Sequence, residues 1–360
     1  VSNKDVLNLQ KEAEETSKLL LKKKAVDRFR TEADYQRYVK SKEEVEALQN
    51  INIESDREEY VRKIIKENEE YMEAAKSCKK FITKSFNGIV PNFGKNINLI
   101  AANTNGGKST LVSNIAFHTA MVGGKTLIIT NEEAVADVYN RITCLIKGWP
   151  YANHNEFTDE QKRVLNEGIE KLSKFINVIS DSSYATSGTT TTVEGIQNVL
   201  ESVIRNNQKY DQIIIDYVQK ISFSKLNPNA KTWEILSSVM QYLDGFKNRY
   251  LSSPITVMAQ LHNSNGDEDR SFEDRLRGFK GIITPVTCAM EMVADKKTYQ
   301  TKFIIHKNRW SSGDMTSQEV VVGWYKGLYV ELDHAPYVAW TKQKEADRIA
   351  KKVENAINGK

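Results

Sequence analysis

The chain has 360 residues, 40% hydrophobic and 27% charged, with a net charge of +4. That is enough apolar mass for one large or two modest domains, and too little positive charge to argue for nucleic acid by itself. No apolar run approaches membrane-span length and no secretory signal is visible, while three scattered cysteines (Cys78, Cys144, Cys288) exclude a disulfide framework and fit a reducing, cytoplasmic setting.

Residues 1–80 predict a helical arm, rich in Lys, Glu and Ala and free of proline and glycine. Ser55 with Glu58 suits a capping box. Val61, Ile64, Ile65, Met72 and Ala75 then mark an apolar stripe at helical spacing. The arm has too few apolar residues for a core of its own, so the stripe predicts a helix that docks on a neighbouring subunit. A start on Val1 rather than Met fits a processed product or a fragment. Gly88, Pro91 and Gly94 mark turns, and the boundary of the main domain, 81–336, falls there.

Residues 97–102 form an apolar strand that runs into a polar turn, Asn103, Thr104, Asn105, Gly106 and Gly107, followed by Lys108, Ser109 and Thr110. A helical pattern continues through Leu111, Ile115, Ala116 and Met121. Strand, loop and helix in this order make a phosphate-binding loop, with Ala102 where the general motif has its first glycine. The loop's N–H groups face the phosphates of ATP. Lys108 reaches the β- and γ-phosphates, and the Ser109 hydroxyl holds Mg²⁺. A Gly-Gly turn with an exposed Lys-Ser is the plain alternative.

Downstream, apolar runs alternate with helical patterns. Strands are predicted at 126–130, 175–180, 212–217 and 255–260, and helices through Val138 and Ile142, from the Thr158/Gln161 cap to Leu172, over 193–206 and over 233–249. Residues 181–192 predict a surface Ser/Thr-rich loop. This alternation is that of a mostly parallel α/β sheet, whose ligands sit outside the carboxyl ends of the strands. The polar residues at those ends are Glu132, Asp216 and Gln260. Asp216, after three isoleucines, suits a Mg²⁺-holding Walker B carboxylate. Glu132 suits a general base for the attacking water, and Gln260 a sensor of the γ-phosphate.

These segments resemble the RecA-type motor domain of DnaB-family replicative helicases, which unwind DNA ahead of the fork in bacteria and their phages. The loop 101–109 is similar to that family's phosphate loop, which often carries Ala at the same place. Asp216-Tyr217-Val218-Gln219 resembles the family's Asp-Tyr-Leu-Gln, and Ala259-Gln260-Leu261 its Ser-Gln-Leu. Leu276-Arg277-Gly278 resembles its Leu-Arg-Gly in the loop that grips single-stranded DNA. Arg275, Arg277 and Lys280, with the N–H of Gly278 or Gly281, are then the phosphate holders. Thr284–Thr287 stands where the family has an acidic motif. Lys307-Asn308-Arg309 is similar to its Lys-Gln-Arg hairpin, which makes Arg309 an arginine finger and Lys307 its companion. The resemblance implies a RecA-like P-loop NTPase fold with C-terminal antiparallel strands, a homo-oligomeric ring (a hexamer), a bacteriophage origin, and primase and a helicase loader as partners. The family's globular N-terminal scaffold has no counterpart before Phe81. The tail 337–360 predicts a solvated, basic, frayed helix. Two alternatives stay open: a RecA-type ATPase that does not unwind, such as a recombinase or packaging motor, and a nucleotide-dependent scaffold.

Overall fold

The computed structural model describes residues 57–76, 82–87, 96–181, 190–222, 224, 227–250, 253–261, 271–276, 280–309 and 318–357. Ser55 and most of the predicted arm lie outside them. The chain divides into two compact units, 1–69 and 70–360. Helix α1 (Arg57–Lys76) begins in the first. Tyr60, Val61, Ile64, Ile65 and Met72 on it are all exposed, so the described part of its apolar stripe is exposed; the Ala75 side chain lies outside the described ones.

The second unit is built on one nine-stranded sheet. Helix α2 (Lys84–Asn87) precedes β1 (Ile97–Ala102), α3 (Lys108–Met121), β2 (Thr126–Thr130) and α4 (Val135–Lys147). Next come α5 (Asp159–Leu172), β3 (Ile176–Ile179), α6 (Val193–Arg205), β4 (Gln212–Asp216), α7 (Thr232–Arg249) and β5 (Ile255–Gln260). The chain closes with α8 (Phe272–Arg275), β6 (Cys288–Asp295), β7 (Gln300–Asn308), β8 (Glu319–Tyr325), β9 (Leu328–Val330) and α9 (Ala335–Ile357). The strand order is β3-β2-β4-β5-β1-β6-β7-β8-β9. Pairing is parallel from β3 to β6 and antiparallel from β6 to β9. The fold is therefore RecA-like α/β, a mostly parallel sheet with antiparallel C-terminal strands, as predicted.

The central strands read as unbroken Ile/Leu/Val runs because both of their faces are covered. Alternate residues of β1 show it. Leu99 and Ala101 pack with Ile196 and Leu200 of α6 and Leu236 and Leu243 of α7. Ile100 and Ala102 pack with Leu111 and Ile115 of α3 and Ile142 of α4. The Thr158/Gln161 capping box is present on α5. Strand and helix bounds fall within a residue or two of the predicted ones.

Two expectations are corrected. The loop 181–192 is not wholly at the surface: Thr190 is fully buried. The Asp181 carboxylate accepts from the Thr190 hydroxyl at 2.7 Å and the Thr191 hydroxyl at 2.8 Å, and its hydrogen bonds satisfy the buried turn. Nor is the C-terminal segment a free tail. It starts as an ordered helix, α9, whose Tyr337 is buried against Gly323, where a Cβ would come within 2.7 Å of the tyrosine ring. Trp340 meets Tyr299 edge-on at 4.6 Å. From Lys342 to Arg348 the helix is exposed, as predicted.

Candidate active site

The phosphate loop leaves β1 directly. The Gly106 N–H donates back to the Asn103 carbonyl at 2.9 Å and closes the turn. A Cβ on Gly106 would lie 2.8 Å from that same carbonyl, and Gly107 stands at φ +91° with the Met292 methyl close by, so both positions are confined to glycine. Gly107 caps α3, which begins on Lys108. The first N–H groups of a helix lack intrahelical acceptors and carry the positive end of its dipole, so the loop is a ready anion cradle. The buried Asn114 side chain fixes α3 to the β8–β9 hairpin. It donates to the Thr110 and Gly327 carbonyls, each at 2.9 Å, and accepts from the Tyr329 N–H at 2.8 Å.

Glu132, Asp216 and Gln260 lie at or just past the ends of β2, β4 and β5, which are consecutive neighbours beside β1. Asp216 is only 3% exposed. Burial, then the charges of Glu132 and Glu133, push its carboxyl up to about 7, against the pull of Lys108 and Arg141. Its Oδ1 is buried without a hydrogen-bond partner among the described residues. Lys108 experiences the converse: burial lowers it, while Asp216 and Glu132 raise it. Of the two adjacent glutamates, Glu133 is taken up by Arg141 in a close ion pair. Glu132 faces Lys220 more loosely, at 3.8 Å, and stays partly exposed, which suits a base that must meet water. The Gln260 side-chain amide donates to the Thr104 hydroxyl in the phosphate loop.

The orphaned Asp216 oxygen, with the Ser109 hydroxyl in the first turn of α3, offers hard oxygen donors, and these residues fit a divalent cation. Among the described residues there is no cluster of three or more acid, His or Cys side chains that forms a metal cage. Mg²⁺ needs none when phosphates and water complete its shell.

Lys307 and Arg309 are not part of this constellation. β1 has its phosphate-loop end at Ala102, level with Met292 of β6, whereas Asn98 is level with Cys288. Cys288 in turn faces Asn308. The Lys307–Arg309 segment is thus at the opposite edge of the sheet, about 13 Å away along the strand direction alone. There the Lys307 ammonium donates to the Ile283 and Thr284 carbonyls at 2.7 and 3.1 Å, and the Arg309 guanidinium to the Thr284 carbonyl at 2.6 Å. Burial, then the charges of Arg309 and Lys247, hold Lys307 down at about 8.

The expectation that Arg275 holds DNA phosphate is corrected. Its guanidinium forks onto Glu291 of β6, with one bond at 2.7 Å. The Nε2 of His306 lies 3.3 Å from the same carboxylate, and the His306 ring stacks on Phe272 at 4.1 Å. A register shift between Ala289 and Met290 re-aims this part of the β6–β7 pair. The buried carboxylate needs the cation, so Arg275 serves the fold. Arg277 and Gly278 lie outside the described residues, and for Lys280 and Gly281 only the backbone turn Lys280–Ile283 is described.

Burial would raise the Glu291 carboxyl, but hydrogen bonds from His306 and Arg275 and their charges outweigh it and hold it at about 2. A carboxylate depressed on folding adds stability above its unfolded value and loses it as pH falls through the folded one. Glu291→Gln should therefore cost roughly 3 kcal/mol at pH 7. The gap to the parent chain should close as pH drops from 4.5 toward 2. Urea melts of both chains across that range check this.

No sequence signal marks a cavity of about 410 Å³ beside the phosphate loop, walled by Thr110, Arg141, Tyr151, Trp324, Lys326 and Trp340. Arg141 lies 4.6 Å above the Tyr151 ring. The aromatic walls come from segments far apart in the chain, and Trp340 belongs to a stretch whose composition suggests a solvated tail.

The sequence model of the DnaB-like helicase C-terminal domain matches residues 82–275, more than half of the chain. The chain belongs to this family. Among solved structures, the ATPase domain of a phage helicase superposes with a TM-score of 0.59 at 17% identity, covering 77% of this chain and 98% of that one. A DnaB-like replicative helicase, solved together with its interactions with primase, gives 0.58 at 16% identity over 83% of this chain and 77% of that one. At these identities the likeness concerns the fold. No functionally curated protein matches the sequence. The family match ends at Arg275. In this DnaB-like chain, therefore, the Arg275–Glu291–His306 cluster and the cavity wall from α9 extend past the matched segment.

Proposed function

We propose that this chain is the motor of a ring-forming, ATP-driven replicative helicase that moves on single-stranded DNA and unwinds duplex. The observation that carries the proposal is the separation of the two half-sites. Lys108, Ser109, Glu132, Asp216 and Gln260 gather at one edge of the sheet, and Lys307 and Arg309 stand at the other. One chain cannot close both halves around one nucleotide. A ring of copies, six by analogy with the family, brings the basic edge of one subunit to the phosphate loop of the next.

In this reading the N–H cradle and Lys108 bind the phosphates, and Ser109 and Asp216 hold Mg²⁺. The cation neutralises charge on the phosphate oxygens when bound. Glu132 takes the proton of the attacking water, and Gln260 reports the γ-phosphate to the segment after β5. The aromatic cavity beside Thr110 and Arg141 takes the base, by stacking on flat apolar walls. DNA contacts fall to Arg277, Gly278, Lys280 and Gly281. The exposed stripe of α1 docks on a neighbouring subunit. Primase and a loader are the proposed further partners, in the cytoplasm; no described helix is long and apolar enough to cross a membrane.

A strand-displacement assay on a forked duplex tests the reading. Unwinding that requires ATP, with hydrolysis stimulated by single-stranded DNA, is the expected result. Hydrolysis without displacement would replace it with a non-unwinding RecA-type ATPase. Turnover near zero with DNA present would favour a scaffold.

A further inference from the structure

The strands that carry the site part company before they end. β4 stays paired with β2 as far as Thr130↔Asp216, but with β5 only as far as Ile215↔Val257. β5 meanwhile continues beside β1 to Ala102↔Gln260. The backbone ladder is therefore missing between β4 and β5 beyond Ile215 and Val257, and between β2 and β4 beyond Asp216, on either side of the strand that carries Asp216.

Two side-chain amides fill the gap. Asn131 Oδ1 accepts from the Tyr217 N–H at 3.1 Å, and its Nδ2 donates to the Tyr217 carbonyl at 3.1 Å. The same Nδ2 lies 3.4 Å from the Thr190 carbonyl. The Asn131 N–H itself donates to the Asp216 carbonyl at 3.0 Å. Gln219 repeats the arrangement one strand further on. Its Oε1 accepts from the Gln260 N–H and its Nε2 donates to the Gln260 carbonyl, both at 3.1 Å. A primary amide offers one acceptor and two donors, so it can pair with both polar groups of one residue as a neighbouring strand would. A carboxylate lacks the donor and an alkyl side chain lacks both. From Gln260 the network passes through its side chain to Thr104 of the phosphate loop.

We propose that Asn131 and Gln219 are positioning residues, two amide clamps that fix the general base, the Mg²⁺ carboxylate and the γ-phosphate sensor relative to one another and to the phosphate loop. The inference rests on the catalytic reading of Glu132, Asp216 and Gln260. Asn131 sits between Thr130 and Glu132 and grips the residue after Asp216. Gln219 follows Asp216 by three positions and grips Gln260 itself. Neither amide needs to touch the nucleotide, because each acts through the residue it holds.

The test is steady-state ATP hydrolysis by the full chain with single-stranded DNA, beside ATP binding and melting temperature. A misplacement of about 1 Å in a catalytic group costs on the order of 10²-fold in rate. Gln219→Ala and Asn131→Ala should each lower kcat by roughly 10- to 100-fold. KM, ATP affinity and melting temperature should stay close to those of the parent. Gln219→Glu, which keeps the size and the acceptor, should fall between parent and Gln219→Ala. The double variant Gln219→Ala/Gln260→Ala should be no slower than Gln260→Ala alone, because the clamp works through Gln260. The inference is overturned if Gln219→Ala turns over normally while Gln260→Ala is impaired, or if the two losses multiply. Normal turnover in Gln260→Ala would overturn the underlying catalytic reading and the Gln219 clamp with it.

Discussion

Lys108→Ala should abolish ATP hydrolysis, a loss of about 10³-fold or more. Lys108 is the first residue of α3, at the mouth of the anion cradle. It stands among carboxylates: Asp216 and Glu132 sustain its charge against burial, and its charge in turn restrains the rise of the Asp216 carboxyl. Removing the ammonium thus does two things. In the proposed reading it takes away the side-chain cation for the β- and γ-phosphates, and it leaves a buried carboxyl facing Glu132 and Glu133 with less to oppose their repulsion. Phosphate release at saturating ATP, with binding followed separately, measures the effect. Normal hydrolysis in this variant would remove the phosphate-loop assignment.

Arg309→Ala should lower hydrolysis by about 10³-fold, as expected of an arginine finger supplied in trans, while ATP binding stays near that of the parent chain. The contrast with Lys108 follows from geometry. Arg309 is at the sheet edge opposite its own phosphate loop, hydrogen-bonded to the Thr284 carbonyl. Losing it leaves the chain's own cradle untouched and, in the proposed ring, deprives only a neighbour. Mixing the Arg309→Ala and Lys108→Ala chains makes the sharper measurement. Each should be inactive alone, but a mixed ring would contain interfaces where an intact phosphate loop meets an intact Arg309. Activity should reappear there, and its absence in assembled mixed rings would rule out the trans role.

Much of this candidate site was legible in the sequence because its parts are local. A phosphate loop is a strand, a turn and a helix start within a dozen residues, and Gly106, Gly107 and Lys108 declare it through backbone sterics and charge. Asp216 and Gln260 were legible because each closes an apolar run, and polar residues at the carboxyl ends of parallel strands face the ligand edge. Arg275 was misread for the opposite reason. Its sequence neighbours pointed to a DNA loop, whereas its partner Glu291 is on a strand reached only after the chain has turned back.

The sequence by itself determined the elements, the parallel α/β class and the residues of the phosphate-loop half-site, since these follow from local periodicity, turn chemistry and strand ends. The tertiary structure decided the rest. Strand order and register put Lys307 and Arg309 on the far edge. They drew Asn131 onto Tyr217 and Gln219 onto Gln260, and gathered Arg141, Tyr151 and Trp340 around one cavity. Each of these depends on pairings between distant segments, which local patterns of hydrophobicity do not encode.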